Sequence, residues 1–253
     1  MSQIIYGIHP VEEALKSLSL QLQKIFTGTQ KPSPNLQSIV DLAHQKEIPV
    51  IPVSKAMIER MAKGGVHQGV VGILKEATYP YIELEDLLAL KEKGEKNLLL
   101  LLLDGIQDPQ NFGSLIRTAA GCGAHGVIIP KDRAVGMTPV VVKASAGAAA
   151  YLPIVRVVNL AATIGRLKET GIWVYGAAGK AKDLIFELDL RMDLAIVIGS
   201  EGKGIRPLVK KKCDRLFSIP MTGPISSFNA SVSGGMILYE VMRQRHAAKR
   251  GEG

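Results

Sequence analysis

The segment LLLLLLDGIQDPQNFGSLIRTAAGCGAHGVIIP, Leu98–Pro130, decides the expected fold of this 253-residue chain. It starts with six consecutive leucines, continues through a polar loop and a stretch with helical spacing, and ends in a second apolar run. Four more apolar runs follow, separated by helical stretches. Because continuous apolar strands that alternate with helices are typical of parallel sheets covered on both faces, the sequence predicts an α/β fold with a parallel sheet.

The chain divides into three regions by pattern. Residues 1–76 alternate short helix and strand signals, such as YGIHPVEEALKSL and HQGVVGILK, which indicates a small α/β module. Residues 77–96 are first acidic and then lysine-rich, and they are predicted to form a linker or bridging helix. Residues 97–253 contain the predicted parallel sheet, whose strand-end loops are the expected ligand-binding positions.

Composition narrows the class of protein. The hydrophobic content of 47% allows a large core, while the longest apolar run, Leu98–Leu103, is too short to cross a bilayer. The first residues lack the features of a signal peptide, so we expect a cytoplasmic protein without a membrane partner. The two cysteines and five histidines have no metal-ligand spacing, so neither a metal site nor a disulfide framework is expected.

The net charge of +8 arises entirely from the region that begins at Asn97. A surplus of lysine and arginine on one domain favours a polyanionic partner such as nucleic acid, but many basic proteins bind none. The lysines at 210–212 and the basic tail are likewise either solvated or in contact with phosphates. Charge alone leaves both interpretations open.

Two glycine-rich loops differ in what surrounds them. GCGAHG, Gly121–Gly126, has the letters of the dinucleotide fingerprint, but it follows a helix and precedes a strand, so it predicts a helix end and a tight turn. GSEGKG, Gly199–Gly204, follows a strand and precedes a helix, which is the right position for a ligand loop. Glu201 within it is interpreted either as an acid at a helix N-terminus or as a site residue.

Polar residues on two other loops are also ambiguous. In DPQNFGSLIRTA, Asn111 is predicted to cap the helix, and Arg117 is either a solvent-facing charge or a group aimed at a phosphate. The segment IPMTGPISSFNASVSGGM is too rich in hydroxyls and amides for one helix cap; its polar residues are Ser226, Ser227, Asn229, Ser231 and Ser233. It has no G-x-S-x-G elbow and no nearby base, which argues against a serine hydrolase.

Taken together, the loops DPQNFGSLIRTA, IVIGSEGKGI and IPMTGPISSFNAS resemble, in order and separation, the three signature motifs of the SpoU (TrmH) family of RNA ribose 2′-O-methyltransferases. YGIHPVEEAL and HQGVVG are similar to the amino-terminal RNA substrate-binding domain of that family, a ribosomal-protein-like α/β module. The likeness is greatest to the subgroup that methylates a guanosine of 23S rRNA. A tRNA ribose methyltransferase, or a non-catalytic ribosome-assembly factor on the same scaffold, is the alternative.

The resemblance implies a SPOUT-type sheet with a carboxyl-terminal trefoil knot, S-adenosyl-L-methionine as cofactor, RNA as substrate and a homodimer. Carried over by motif, the active-site set is Asn111, Arg117, Glu201, Ser227 and Asn229. The positions whose backbone contacts the cofactor are Gly199, Ile219 and Phe228. The family usually has leucine where this chain has Phe228, a change that a backbone contact tolerates.

A chemical hypothesis assigns roles to these residues. Since a guanidinium stays protonated in ordinary settings, Arg117 is expected to hold a phosphate and the hydroxyl, while that phosphate or a water accepts the proton. Asn111 would orient Arg117. Ser227 and Asn229 would position the cofactor and the ribose, since in-line geometry supplies much of the acceleration of a displacement.

Overall fold

The computed structural model describes residues 4–16, 22–28, 33–74, 81–225 and 227–251. The chain forms two compact units. The amino-terminal unit comprises Met1–Pro80 and Met137–Tyr151, and the carboxyl-terminal unit comprises Tyr81–Gly136 and Leu152–Gly253. Within the described ranges, every helix is too short or too polar to cross a membrane.

The amino-terminal unit contains a four-stranded sheet with the order β1-β4-β2-β3. Strand β4 runs antiparallel to β1 and β2, while β3 runs parallel to β2. This mixed sheet with its helices confirms the small α/β module that the sequence predicts. The elements of the unit are β1 (Ile4–Tyr6), α1 (Ile8–Lys16), β2 (Leu22–Thr27), α2 (Pro34–Gln45), β3 (Val50–Pro52), α3 (Lys55–Met61), β4 (Val70–Leu74) and α6 (Pro139–Ala144).

The carboxyl-terminal unit contains a seven-stranded sheet with the order β7-β6-β5-β10-β8-β11-β9, in which every pair of neighbours is parallel. The predicted parallel sheet is therefore confirmed. Its elements are α4 (Leu84–Glu92), β5 (Leu99–Asp104), α5 (Pro109–Gly121), β6 (Gly126–Pro130), β7 (Ile154–Val157), α7 (Leu160–Glu169), β8 (Trp173–Ala177), β9 (Asp183–Leu184), β10 (Leu194–Gly199), α8 (Pro207–Lys212), β11 (Arg215–Ser218) and α9 (Ala230–Gly251).

The polyleucine strand lies in the interior of this sheet, between β6 and β10. Its leucines are buried on both faces, which explains why the run lacks the alternation of a half-exposed strand. β5 pairs with β10 in a register that ends with Asp104 opposite Gly199. The loops that follow these two strands therefore leave the same carboxyl edge of the sheet side by side.

Helix α5 is capped three residues earlier than the sequence suggests, by Asp108 instead of Asn111. The Asp108 side chain accepts hydrogen bonds from the backbone N–H groups of Gln110 and Asn111, with Pro109 in the first turn. The prediction that Asn111 caps this helix is therefore wrong, and its side chain is released for other contacts. α5 ends at Gly121 and is followed by Gly123 with φ 75°, which confirms the interpretation of GCGAHG as a helix end and turn.

The final helix, α9, packs closely against α5. Gly234 makes this approach possible, because a Cβ atom at this position would lie closer than 3.0 Å to Cδ2 of Leu115. Ile237, Leu238 and Val241 continue the buried side of α9. The helix therefore begins beside the carboxyl edge of β5 and β10.

Two predicted boundaries need correction. Residues 81–96, expected to form a linker or bridging helix, do contain a helix, α4, but its Leu84, Leu87 and Leu88 lie in the core of the carboxyl-terminal unit. Leucines with this spacing form an apolar helix face that burial stabilises, so this stretch is part of a domain; residues 77–80 lie outside the described ranges. Met137–Tyr151, expected in the catalytic domain, belongs to the amino-terminal unit, where α6 contacts β1.

Candidate active site

Three side chains from the three loop motifs form one polar cluster at the carboxyl edge of the sheet. Nδ2 of Asn229 donates to Oδ1 of Asn111 at 3.1 Å and to Oε1 of Glu201 at 3.4 Å. Nδ2 of Asn111 also donates to Oε1 of Glu201. Glu201 thus accepts from both amides, and residues separated by up to 118 positions are joined in one network.

Helix ends orient both asparagines. Asn111 stands in the first turn of α5, where Asp108 holds its backbone N–H at 2.9 Å. Asn229 immediately precedes α9, and its Oδ1 accepts from the backbone N–H groups of Ser231 at 2.9 Å and Val232 at 3.2 Å. Because Oδ1 is committed to the helix, Nδ2 must point to the cluster, and the amide cannot be flipped without losing the cap.

Glu201 lies on a tight turn that glycines permit. The backbone N–H of Gly204 donates to the carbonyl of Ser200 at 2.8 Å, and Gly204 has φ 64° in the left-handed region. A Cβ atom on Gly199 would lie closer than 3.0 Å to Gly204, so only glycine fits there. α8 starts at Pro207, too far from Glu201 for the interpretation of this residue as a helix N-terminal acid, which is therefore wrong.

An ion pair beneath this turn was not anticipated. The fully buried carboxylate of Asp104 accepts from the backbone N–H of Arg206 at 2.7 Å and from its Nε at 2.6 Å. These bonds fix the residue that follows the glycine turn to the end of β5. The one signal in the sequence is an aspartate placed directly after six buried leucines, since such a charge is costly without a partner.

A cavity of about 430 Å³ opens beside Glu201. Its walls come from the ends of β5 and β10 and from one loop between β6 and β7. The lining residues are 104–107, Arg133, 200–204 and Arg206. Among the residues that the structure describes, no group of three or more histidines, cysteines or acids has the arrangement of a metal site.

Arg117 does not join the polar cluster. Asn111, Leu115 and Thr118 form the stripe of α5 that faces α9, whereas Arg117 lies off this stripe and is exposed. Within the described part of the chain, its guanidinium has neither an ion pair nor a hydrogen bond. Asn111 bonds to Glu201 and, among the described residues, has no hydrogen bond to Arg117, so its predicted role in orienting Arg117 stays a prediction.

The third loop contributes residues around the cluster. Ile219, directly after β11, and Phe228 are half-buried, while Ser227 is exposed. Ser226 lies outside the described residues. The structure therefore brings Asn111, Glu201 and Asn229 into direct contact, with Gly199 at the base of the Glu201 turn.

Comparisons with known proteins identify the family of both parts of the chain. Residues 98–239 match the SpoU rRNA Methylase family, and residues 4–80 match a domain described as RNA 2′-O ribose methyltransferase substrate binding. The 23S rRNA (guanosine-2′-O-)-methyltransferase RlmB of Coxiella burnetii is 43% identical over 249 residues, which is 98% of each chain. RlmB of Pseudomonas putida is 39% identical over 252 residues, covering 98% of this chain and 100% of that protein.

The fold is also found in a solved structure. The SpoU methyltransferase AviRb from Streptomyces viridochromogenes, crystallised in complex with the cofactor AdoMet, aligns with a TM-score of 0.82 and 24% identity. The alignment covers 97% of this chain and 91% of AviRb. The motif clusters, the matched residues and the near full-length identities agree: this chain belongs to the SpoU rRNA Methylase family.

Proposed function

We propose that this protein transfers a methyl group from S-adenosyl-L-methionine to the ribose 2′-hydroxyl of a guanosine in 23S rRNA. The observation that carries the proposal is the cluster of Asn111, Glu201 and Asn229, one residue from each signature loop. The RlmB relatives, named for this reaction, match nearly the whole chain. Since bacterial ribosomal RNA is a cytoplasmic substrate, we also propose a cytoplasmic location.

The residues that would hold the cofactor are Gly199, Ile219 and Phe228. When bound, S-adenosyl-L-methionine supplies a methyl group on a positively charged sulfonium, whose sulfur leaves as a neutral thioether. The loops fit such a group in one respect: Glu201, on the turn that follows Gly199, places a carboxylate beside the cavity, and its charge is complementary to that of the sulfonium. Phe228, half-buried between Ser227 and Asn229, would contribute its backbone.

The reaction forms a bond between the methyl carbon and the ribose oxygen, breaks the carbon–sulfur bond and releases the hydroxyl proton. Positioning is the main task of the protein, because donor and acceptor must be held in line. Asn229 and Asn111 would supply fixed amide groups for the ribose, since Glu201 and the cap of α9 lock both side chains. The exposed hydroxyl of Ser227 would complete this frame.

Arg117 has a separate role in the proposal. Its exposed guanidinium is available to hold the phosphate next to the target ribose through two parallel hydrogen bonds. That phosphate or a water then accepts the hydroxyl proton, because the guanidinium remains protonated.

The deciding experiment is transfer of labelled methyl groups to separated rRNA and tRNA pools, followed by mapping of alkali-resistant linkages. We expect label on one guanosine ribose of 23S rRNA. Label on a base, on protein or on tRNA would overturn the proposed reaction or its substrate.

A second experiment tests the role of Arg117. Single-turnover rates across pH are compared for wild type, Arg117→Lys and the control Arg166→Lys, whose arginine pairs with Glu85 on the protein surface. Loss of two-pronged phosphate binding should slow Arg117→Lys at all pH values by at least about tenfold, while the control keeps the wild-type rate. Full activity of Arg117→Lys would refute the bidentate role.

We also propose that the carboxyl-terminal segment forms the trefoil knot of SPOUT proteins. β11 lies two strands away from β10 on one side of the sheet, and the chain then returns past the strand ends to pack α9 against α5 on the other side. When the protein is unfolded by pulling on its two ends, the extended chain should be shorter than its full contour length, because the knot tightens and keeps some residues inside it. A fully extended chain would contradict the knot.

A homodimer is proposed from the exposed face of α9. Val232, Met236 and Tyr239 recur at helical spacing and are 47%, 42% and 60% exposed. An apolar helix stripe of this kind suits a self-complementary interface about a two-fold axis. Light scattering should show a dimer that Met236→Lys dissociates, whereas the control Val66→Lys, at an exposed position of the amino-terminal unit, stays dimeric. A wild-type monomer would refute the proposal.

A further inference from the structure

A second cavity adjoins the one beside Glu201 along the carboxyl edge of the sheet. It measures about 330 Å³, which is within the range of small-ligand sites, and lies at the ends of β6 and β7. Arg133 and Arg206 line both cavities. The other residues that line this second cavity have no role in the active site proposed above.

The two shared arginines suit a phosphate. Nε of Arg206 is anchored to buried Asp104, and, as far as the described residues show, neither terminal nitrogen of its guanidinium has a hydrogen-bond partner. The side chain is therefore oriented in advance, with both terminal nitrogens free to donate. Arg133 is exposed and, in the same described set, has no ion pair. Asp104 already balances the charge of Arg206, so the groups that suit an anion at the boundary between the cavities are the guanidinium of Arg133 and the terminal N–H groups of Arg206.

The far walls of the second cavity suit a nucleobase. Val158 and Leu208 line it with side chains that are 75% and 58% exposed, so both offer uncovered apolar surface. Asn159 adds a hydrogen-bonding group: its Oδ1 accepts from Ala161 and Ala162 at the start of α7, which leaves its Nδ2 as a donor. An apolar surface with one amide donor next to a phosphate-binding pair is the chemistry that recognises a nucleotide.

We propose that this second cavity binds the base of a nucleotide adjacent to the methylated one, with the connecting phosphate on Arg133 and Arg206. The inference rests on the proposed RNA methylation, because a ribose at the first cavity belongs to a strand whose neighbouring nucleotide must lie one backbone step away. Arg133 and Arg206, which line both cavities, would bind the phosphate that connects the two nucleotides. The site therefore selects the sequence or conformation of the RNA next to the target.

The test combines protein variants with abasic RNA. The probe is the 23S rRNA fragment that contains the mapped guanosine, prepared intact or with the base removed from the 5′ or the 3′ neighbour. Removal of one of these bases should weaken binding to wild type by about tenfold, because its contacts are lost while the phosphates remain. In Leu208→Ser the same removal should cost clearly less than in wild type, since one of the two apolar walls is already gone.

A salt series tests the phosphate contact. Arg133→Gln should reduce the slope of log affinity against log salt by about 0.7, the value for one phosphate of a single strand. The matched control Lys96→Gln removes the same charge before the amino end of β5 and should keep the wild-type slope. Calorimetry with S-adenosyl-L-methionine should give the same affinity for Leu208→Ser and wild type, which shows that the cofactor loops are intact.

Two outcomes overturn the inference: no loss of wild-type affinity for either abasic RNA, or an equal loss in wild type and Leu208→Ser. If the slope of log affinity against log salt is the same in Arg133→Gln and wild type, the proposed contact between Arg133 and the phosphate is refuted. The comparison of intact and abasic RNA in wild type and Leu208→Ser measures binding only and requires no methyl transfer. Its result is therefore distinguishable from a failure of methyl transfer, which would refute the proposed function instead.

Discussion

Replacement of Gly234 by alanine tests how closely α9 must approach α5. The added methyl group would lie closer than 3.0 Å to Cδ2 of Leu115 and 3.1 Å from Cδ1 of Ile198. Leu115 is completely buried, so its side chain cannot turn away without disturbing the core. Overpacking of this kind costs about 1–3 kcal/mol, against a gain of about 1 kcal/mol because alanine favours the helix.

The neighbouring glycine provides the control. A Cβ atom on Gly235 would meet only Cγ2 of Thr118 at 4.0 Å, an ordinary contact, so Gly235→Ala should stabilise the protein by about 1 kcal/mol. Because both positions share one helix, the propensity gain cancels in the comparison. Gly234→Ala should therefore be about 1–3 kcal/mol less stable than Gly235→Ala.

Thermal melts followed by circular dichroism measure this difference. For a domain of this size, 2 kcal/mol corresponds to roughly 4–8 °C in melting temperature. Adding Leu115→Ala to Gly234→Ala should cost less than the sum of the single changes, because the smaller side chain makes room for the new methyl group. Equal melting temperatures of the two glycine variants would refute the close approach of α9 to α5.

Three further changes test other parts of the carboxyl-terminal unit. Asn229→Ala removes a helix cap and should lower the free energy of unfolding by about 1 kcal/mol, whereas Asn229→Asp keeps the cap but places a second carboxylate beside Glu201. Thermal melts should show a loss of stability in the alanine variant only. Single-turnover assays should show loss of methyl transfer in both variants. Arg206→Ala leaves the buried carboxylate of Asp104 without its ionic partner and should lower the free energy of unfolding, measured by urea titration, by about 3 kcal/mol. Adding Asp104→Asn to this variant should restore part of the loss. Burial, with a smaller effect of a neighbouring aspartate, raises the pKa of Cys213 to about 11, so above pH 9 the unfolded chain loses a proton that the folded chain keeps. Stability should consequently fall as pH rises from 9 to 11, and more steeply in wild type than in Cys213→Ala; equal slopes would contradict the raised pKa.

Sequence patterns predict the site well where local and global constraints agree. The six leucines before Asp104 indicate a strand buried on both faces, and parallel strands bring their carboxyl-end loops to one edge. The pairing of Asp104 with Gly199 then sets the loops of Asn111 and Glu201 side by side. Loop motifs that are far apart in sequence are therefore predicted to meet before any coordinates are known.

Other features depend on tertiary contacts that leave little local signal. The many lysines and glutamates between residues 83 and 96 conceal three leucines that face the core, so a packed helix resembles a linker. Asp108 and Asn111 are both good capping residues, and the position of Pro109 decides between them. The bond between Asp104 and Arg206 spans 102 positions, beyond the reach of any pattern along the chain.

Asn229 shows why the site and the carboxyl-terminal helix cannot vary independently. Its carbonyl oxygen caps α9 while its amide nitrogen holds Asn111 and Glu201, so one side chain joins the end of the fold to the polar cluster. Any displacement of α9 moves the donor that orients the cluster, because the cap fixes the amide to the helix. Close packing at Gly234 limits such displacement from the other side. The stability of α9 is thus a condition for the geometry of the site, which explains why the polar loop leads directly into small residues.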